Sequence, residues 1–67
     1  VIDFSVNGQA KRMERGTNVA LLLAALELSG KRVAVEKNGE IVPRSRYPET
    51  VLADGDALEI VVAVGGG

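Results

Sequence analysis

The sequence predicts an α+β domain, a mixed sheet of four to five strands with one main helix across one face. Three observations carry that expectation. Strand-like alternation stands near both ends of the chain, in Val1 to Val6 and Leu58 to Val64. One stretch of helical periodicity, from about Asn18 to Ser29, lies between them. Two Asn-Gly pairs, Asn7-Gly8 and Asn38-Gly39, mark hairpins, because both residue types tolerate the positive φ of a type I′ turn.

The first strand points Ile2, Phe4 and Val6 to one side and Asp3 and Ser5 to the other. After the Asn7-Gly8 turn, Gln9 to Glu14 forms a polar returning strand suited to a sheet edge, where its basic residues discourage further pairing. Gly16 breaks the chain, and Thr17 is the expected helix N-cap. Val19, Leu22, Leu23 and Leu26 share a helix face that should lie on the sheet, and Gly30 is the expected left-handed stop. A second apolar stripe, Leu21, Ala24, Ala25 and Leu28, lies opposite. It is either covered by flanking loops or open as a contact surface, with Leu21 and Leu28 the candidate partner contacts.

Val33-Ala34-Val35 reads as a short strand that turns at Asn38-Gly39 into Ile41-Val42, and Pro43 ends the ladder because it has no amide to donate. Arg44 to Thr50 is an irregular connection with room for a helical turn. Asp54-Gly55-Asp56 is a turn before the last strand, a better reading than a catalytic carboxylate pair. In that last strand Leu58, Ile60, Val62 and Val64 alternate with residues that are themselves mostly apolar, so the strand belongs at the sheet centre.

Composition narrows the function. At 67 residues the chain is one domain with no cysteine for a disulfide and no histidine for a zinc site. The commonest general base and the commonest sulfur nucleophile are therefore both missing, so the chain is not expected to be an enzyme by itself. A formal net charge of −1 with interleaved signs gives no footprint for nucleic acid. The apolar run Val19 to Leu26 is too short to span a bilayer, and the first residues do not resemble a signal peptide. These features point to the cytoplasm.

Taken together, a hairpin, a helix, a second hairpin and a last strand that pairs in parallel with the first describe the β-grasp, or ubiquitin-like, arrangement. The expected division is a β-grasp domain over 1–64 and a flexible glycine tail over 65–67. Gly65-Gly66-Gly67 follows the last strand without a spacer. Glycines can thread a narrow channel, and three of them reach at most about 10 Å, enough to place a terminal carboxylate in another protein's active site. Arg44 and Arg46 are either solvated surface charge or a docking contact for an acidic partner. Val61 and Ala63, with Val1, are candidates for a small apolar patch on the outer sheet face.

Three stretches carry a resemblance to a known family. Asn38-Gly39-Glu40-Ile41-Val42-Pro43-Arg44-Ser45 resembles the thiamine-biosynthesis sulfur carriers, the ThiS family. So does Leu52-Ala53-Asp54-Gly55-Asp56-Ala57-Leu58-Glu59-Ile60-Val61, and so does the closing Val64-Gly65-Gly66-Gly67. The likeness covers nearly the whole chain. One departure is Tyr47, where family members often carry tryptophan; the exchange keeps an aromatic ring.

The resemblance implies a protein co-substrate. Gly67 would be the acyl site, adenylated and then converted to a thiocarboxylate, with Gly65 and Gly66 as its flexible approach. It also implies a ThiF-like adenylating enzyme that supplies ATP and magnesium, a sulfur donor such as a cysteine desulfurase, and a ThiG-like thiazole synthase that receives the sulfur. No cofactor or metal would be bound by this chain. Three alternatives stay open: the sulfur carrier subunit of molybdopterin synthesis, a ubiquitin-like modifier, and a plain β-grasp interaction domain.

Overall fold

The computed structural model describes residues 1–63. Five strands form one sheet in the order β2-β1-β5-β3-β4. They are β1 (Ile2–Val6), β2 (Gln9–Met13), β3 (Val33–Lys37), β4 (Glu40–Ile41) and β5 (Ala57–Val62). The helix α1 spans Val19–Ala25, and a 3-10 helix spans Arg44–Glu49 in the expected irregular connection. Strand β1 pairs antiparallel with β2 and parallel with β5, and β3 pairs antiparallel with both β4 and β5. The last strand is thus central, as its apolar composition predicts. It is nonetheless covered on one face only, since Ala57, Glu59 and Val61 are exposed.

The core lies between the sheet and α1. Ile2, Phe4 and Val6 from β1, Val35 from β3, and Leu58 and Ile60 from β5 face Val19, Leu22 and Leu23. Val42, Tyr47 and Leu52 close the margins. Two residues assigned to this core from the sequence sit at its edge: Leu26 is half-buried and Val62 is 39% exposed.

The helix departs from expectation at both ends. Its N-cap is Asn18, not Thr17: the Asn18 side chain accepts the Leu21 amide at 2.8 Å. Thr17 is instead buried, and its carbonyl accepts the Leu52 amide, while Thr50 accepts the Val19 amide. These bonds tie the helix start to the segment that feeds Leu52 into the core. The helix stops at Ala25 and not near Ser29, because Glu27 adopts the left-handed conformation at φ 60. The Leu28 amide then donates to Leu23 O and the Glu27 amide to Ala24 O, the paired bonds of a Schellman cap. The cap is held by partial burial of Leu28 against the core, a tertiary gain that overrides the preference for glycine at that position. Gly30 is also left-handed, but it shapes the turn beyond the helix.

Both Asn-Gly turns form with positive φ at Asn7 and Asn38. Each asparagine has a second task. Asn7 Nδ2 donates to Ile60 O at 3.0 Å, and Asn7 Oδ1 accepts from the Ile60 amide at 2.9 Å, so a side-chain amide extends the parallel ladder where β1 has turned away. Asn38 Oδ1 accepts from the Ala57 amide at 2.9 Å, and its Nδ2 donates to Asp56 Oδ1 at 3.0 Å. Both hairpins therefore clamp β5 through their turn side chains.

Candidate functional site

The functional question is what β5 delivers at its far end. Beyond Val62 the Ala63 amide still donates to Arg32 O at 2.9 Å, so the chain is held against the start of β3 up to that residue. Gly65, Gly66 and Gly67, the expected acyl site and its approach, lie outside the described residues. Around Ala63 is an open groove of about 340 Å³. Ala34, Val61 and Ala63 line it together with three cations, Lys31, Arg32 and Arg44. Sheet register explains the meeting: Val33 pairs with Val62 and Ala34 with Val61, which brings the basic turn before β3 alongside the end of β5.

The candidate residues separate accordingly. Arg44, Val61 and Ala63 come together at this groove. Arg46 does not join them, since it lines a different hollow of about 410 Å³ beside Lys37, Ile41 and Pro43. Both arginines lie on the 3-10 helix but line different hollows, so proximity in sequence does not bring them to one site. Val1 is also removed from the patch. Ser5 pairs with Ala57 in the parallel register, so Val1 and Val61 lie at opposite ends of the sheet, roughly 25 Å apart along the strands. On the helix, Leu21 is 54% exposed, and Ala24 and Ala25 are exposed too, so loops do not cover that part of the stripe. Leu28 is half-buried and shares a small hollow with Arg44 and Tyr47.

Lys31 and Arg32 escaped the sequence reading. Their signal, a basic pair directly before a strand, gains meaning only when that strand is known to neighbour β5. The aspartates of the last turn prove structural. Asp54 Oδ1 accepts the Asp3 amide at 2.7 Å, and the buried Asp56 accepts the Ala53 amide at 2.8 Å as well as Asn38 Nδ2. Lys37 Nζ stands 3.9 Å from Asp56 Oδ2. Both carboxylates thus brace the turn before β5, in line with its reading as a turn. Among the described residues no group of three or more acidic side chains is placed to hold a metal ion. Among them also, no helix is long and apolar enough to cross a membrane.

The two charged groups whose titration is displaced, Asp3 and Arg12, are remote from the groove. The hydrogen bond from Arg12 Nε to Asp3 Oδ1, 2.8 Å long across the β1–β2 pair, holds the Asp3 carboxyl below its ordinary value.

Comparison with known proteins adds an independent line. The sequence profile described as the ThiS family matches residues 4–67. The sulfur carrier protein ThiS of Bacillus subtilis (strain 168) is 43% identical over 63 residues, covering 92% of this chain and 96% of that protein. A thiazole synthase of Paramagnetospirillum magneticum is 44% identical over 62 residues, which are 92% of this chain. The match spans only 19% of that synthase's length. The crystal structure of the thiamine biosynthesis protein ThiS from Geobacter metallireducens superposes with a TM-score of 0.82 at 36% identity, covering 98% of this chain and 100% of that one.

Proposed function

The chain belongs to the ThiS family, and from that membership we propose that it is a sulfur carrier for thiazole formation in thiamine biosynthesis, a protein co-substrate and not a catalyst. The observation that carries this reading is a whole-domain match to sulfur carriers combined with the Gly65-Gly66-Gly67 segment, which follows the central strand in sequence after Ala63 and Val64.

The chemistry of the tail fits the role. An α-carboxylate, with a pKa of about 3.5, is ionised at neutral pH and is a poor electrophile. Where the Gly67 carboxylate is free, adenylation makes one of its oxygens a leaving group, and the missing side chain leaves the carbonyl unhindered. Sulfur then replaces the adenylate to give a thiocarboxylate. A chain without cysteine has no other place to carry sulfur covalently. ATP and magnesium belong to a ThiF-like adenylating enzyme, and the sulfur comes ultimately from cysteine through a donor such as a desulfurase. The proposed location is the cytoplasm, where ATP for the first step is supplied.

A ThiG-like thiazole synthase is the proposed recipient, supported by relatives in which a segment like this one forms part of a thiazole synthase. The groove of Lys31, Arg32 and Arg44 around Val61 and Ala63 is suited to an acidic, partly apolar partner surface that would accept the tail beside it. Arg46, in its separate hollow, would contribute less.

The test is intact-protein mass spectrometry after incubation with ATP, a thiamine-pathway adenylating enzyme and a sulfur source, beside a Gly66-Gly67 deletion. The full chain should gain the mass of one oxygen-for-sulfur exchange and the deletion should gain nothing. No gain under conditions that load the Bacillus subtilis carrier would overturn the proposal.

A further inference from the structure

The two Asn-Gly turns carry a reaction of their own. In such a pair the glycine amide nitrogen, unhindered by a side chain, can attack the asparagine Cγ. A nitrogen–carbon bond forms, the Cγ–Nδ2 bond breaks, and the glycine N–H proton leaves with the amine as ammonia. Water then opens the succinimide at either carbonyl, giving an aspartyl or an isoaspartyl linkage. The third asparagine, Asn18, precedes the β-branched Val19 and is poorly placed for the same attack.

The fold engages the reacting groups at both turns. Asn7 Nδ2, the atom that would depart, is the donor to Ile60 O, and Asn7 Oδ1 is the acceptor for the Ile60 amide. Asn38 Nδ2 is likewise committed to Asp56 Oδ1, and Asn38 Oδ1 to the Ala57 amide. While β5 is in place, neither side chain can swing onto the following glycine nitrogen without giving up two hydrogen bonds.

We propose that Asn7 and Asn38 are deamidation sites gated by β5, and that conversion of either loosens the strand that leads to the glycine tail. The consequence follows from the atoms exchanged. At position 7 a carboxylate has no proton to donate and turns an oxygen toward Ile60 O. At position 38 it sets a second negative charge against Asp56, a buried carboxylate that already accepts the Ala53 amide. Nothing in this inference depends on sulfur transfer, so it stands or falls separately from the carrier function.

The experiment incubates the full chain at mildly alkaline pH in native buffer and in urea, with conversion at each asparagine read by peptide mass spectrometry. Short peptides spanning each turn, kept in the same two solvents, correct for the effect of urea itself. Conversion at positions 7 and 38 should be about tenfold or more slower in the native chain, the factor being set by how seldom β5 opens. Asn18 should stay unconverted in both. Native conversion as fast as in the peptides would overturn the gating.

The loosening has its own readout in hydrogen exchange. The amides of Ser5 and residue 7 donate to Asp56 O and Leu58 O across the β1–β5 junction. Both should exchange faster in Asn7→Asp. They should also do so in Asn7→Gly, which keeps the turn and removes only the side-chain bonds. Unchanged protection in both variants would overturn the effect on β5.

Discussion

Glu27 shows how a single backbone angle can set the length of a helix. A side chain at φ 60 costs roughly 1–2 kcal/mol, and glycine there would remove that cost while adding about 0.5–1 kcal/mol of unfolded-state entropy. Glu27→Gly should therefore stabilise the domain by about 0.5–1 kcal/mol, seen as a higher urea midpoint at an unchanged denaturant slope. The sequence did not reveal this position, because the helical stripe continues to Leu28 and the first glycine is Gly30. The sequence leaves the cap open between Thr17 and Asn18 because both are capping types; the Asn18 bond to the Leu21 amide and the tie of Thr17 to Leu52 decide between them. Asp3 yields a pH prediction. Its carboxyl is held low by Arg12, so its contribution is present above the unfolded-state value and is lost as the pH falls through the folded one. In an NMR titration, Arg12→Ala should move the Asp3 midpoint up toward that of an ordinary aspartate. High salt should narrow the difference, because the pair is exposed.

Among the elements, β3 and β5 contain an avoidable conflict. Their register sets Glu36 directly opposite Glu59, on the face away from the helix, and like charges so placed repel. Glu36→Lys should convert that repulsion into a cross-strand pair and stabilise the sheet by about 0.2–1 kcal/mol, measured by urea titration. The hairpins were legible from Asn-Gly, and the central position of β5 from its apolar run. The opposition of the two glutamates was not, because register is a property of two distant segments together. The same holds for the groove. Arg44 and the β5 end were visible as separate candidates, whereas Lys31 and Arg32 acquire a role only when Ala34 is set beside Val61.

For the whole molecule, size governs how much damage is tolerated. A 67-residue domain has a stability of only several kcal/mol, and one core truncation can consume most of it. Leu58 is 1% exposed at the centre of the sheet, so Leu58→Ala should cost about 2–5 kcal/mol and leave a large unfolded fraction, visible by circular dichroism. The position of β5 has a further consequence, for synthesis. The bonds between Asn7 and Ile60 join residues 53 positions apart, and β1 and β3 touch the same sheet only through β5. As the nascent chain emerges from the ribosome, both hairpins and the helix appear before the strand that unites them. Ile2, Phe4, Val6 and Val35 then have only the helix residues Val19, Leu22 and Leu23 to bury against until Leu58 and Ile60 arrive between them. A product interrupted before that point lacks the strand that joins its two hairpins, so its first half and its third strand remain separate pieces of one unfinished core.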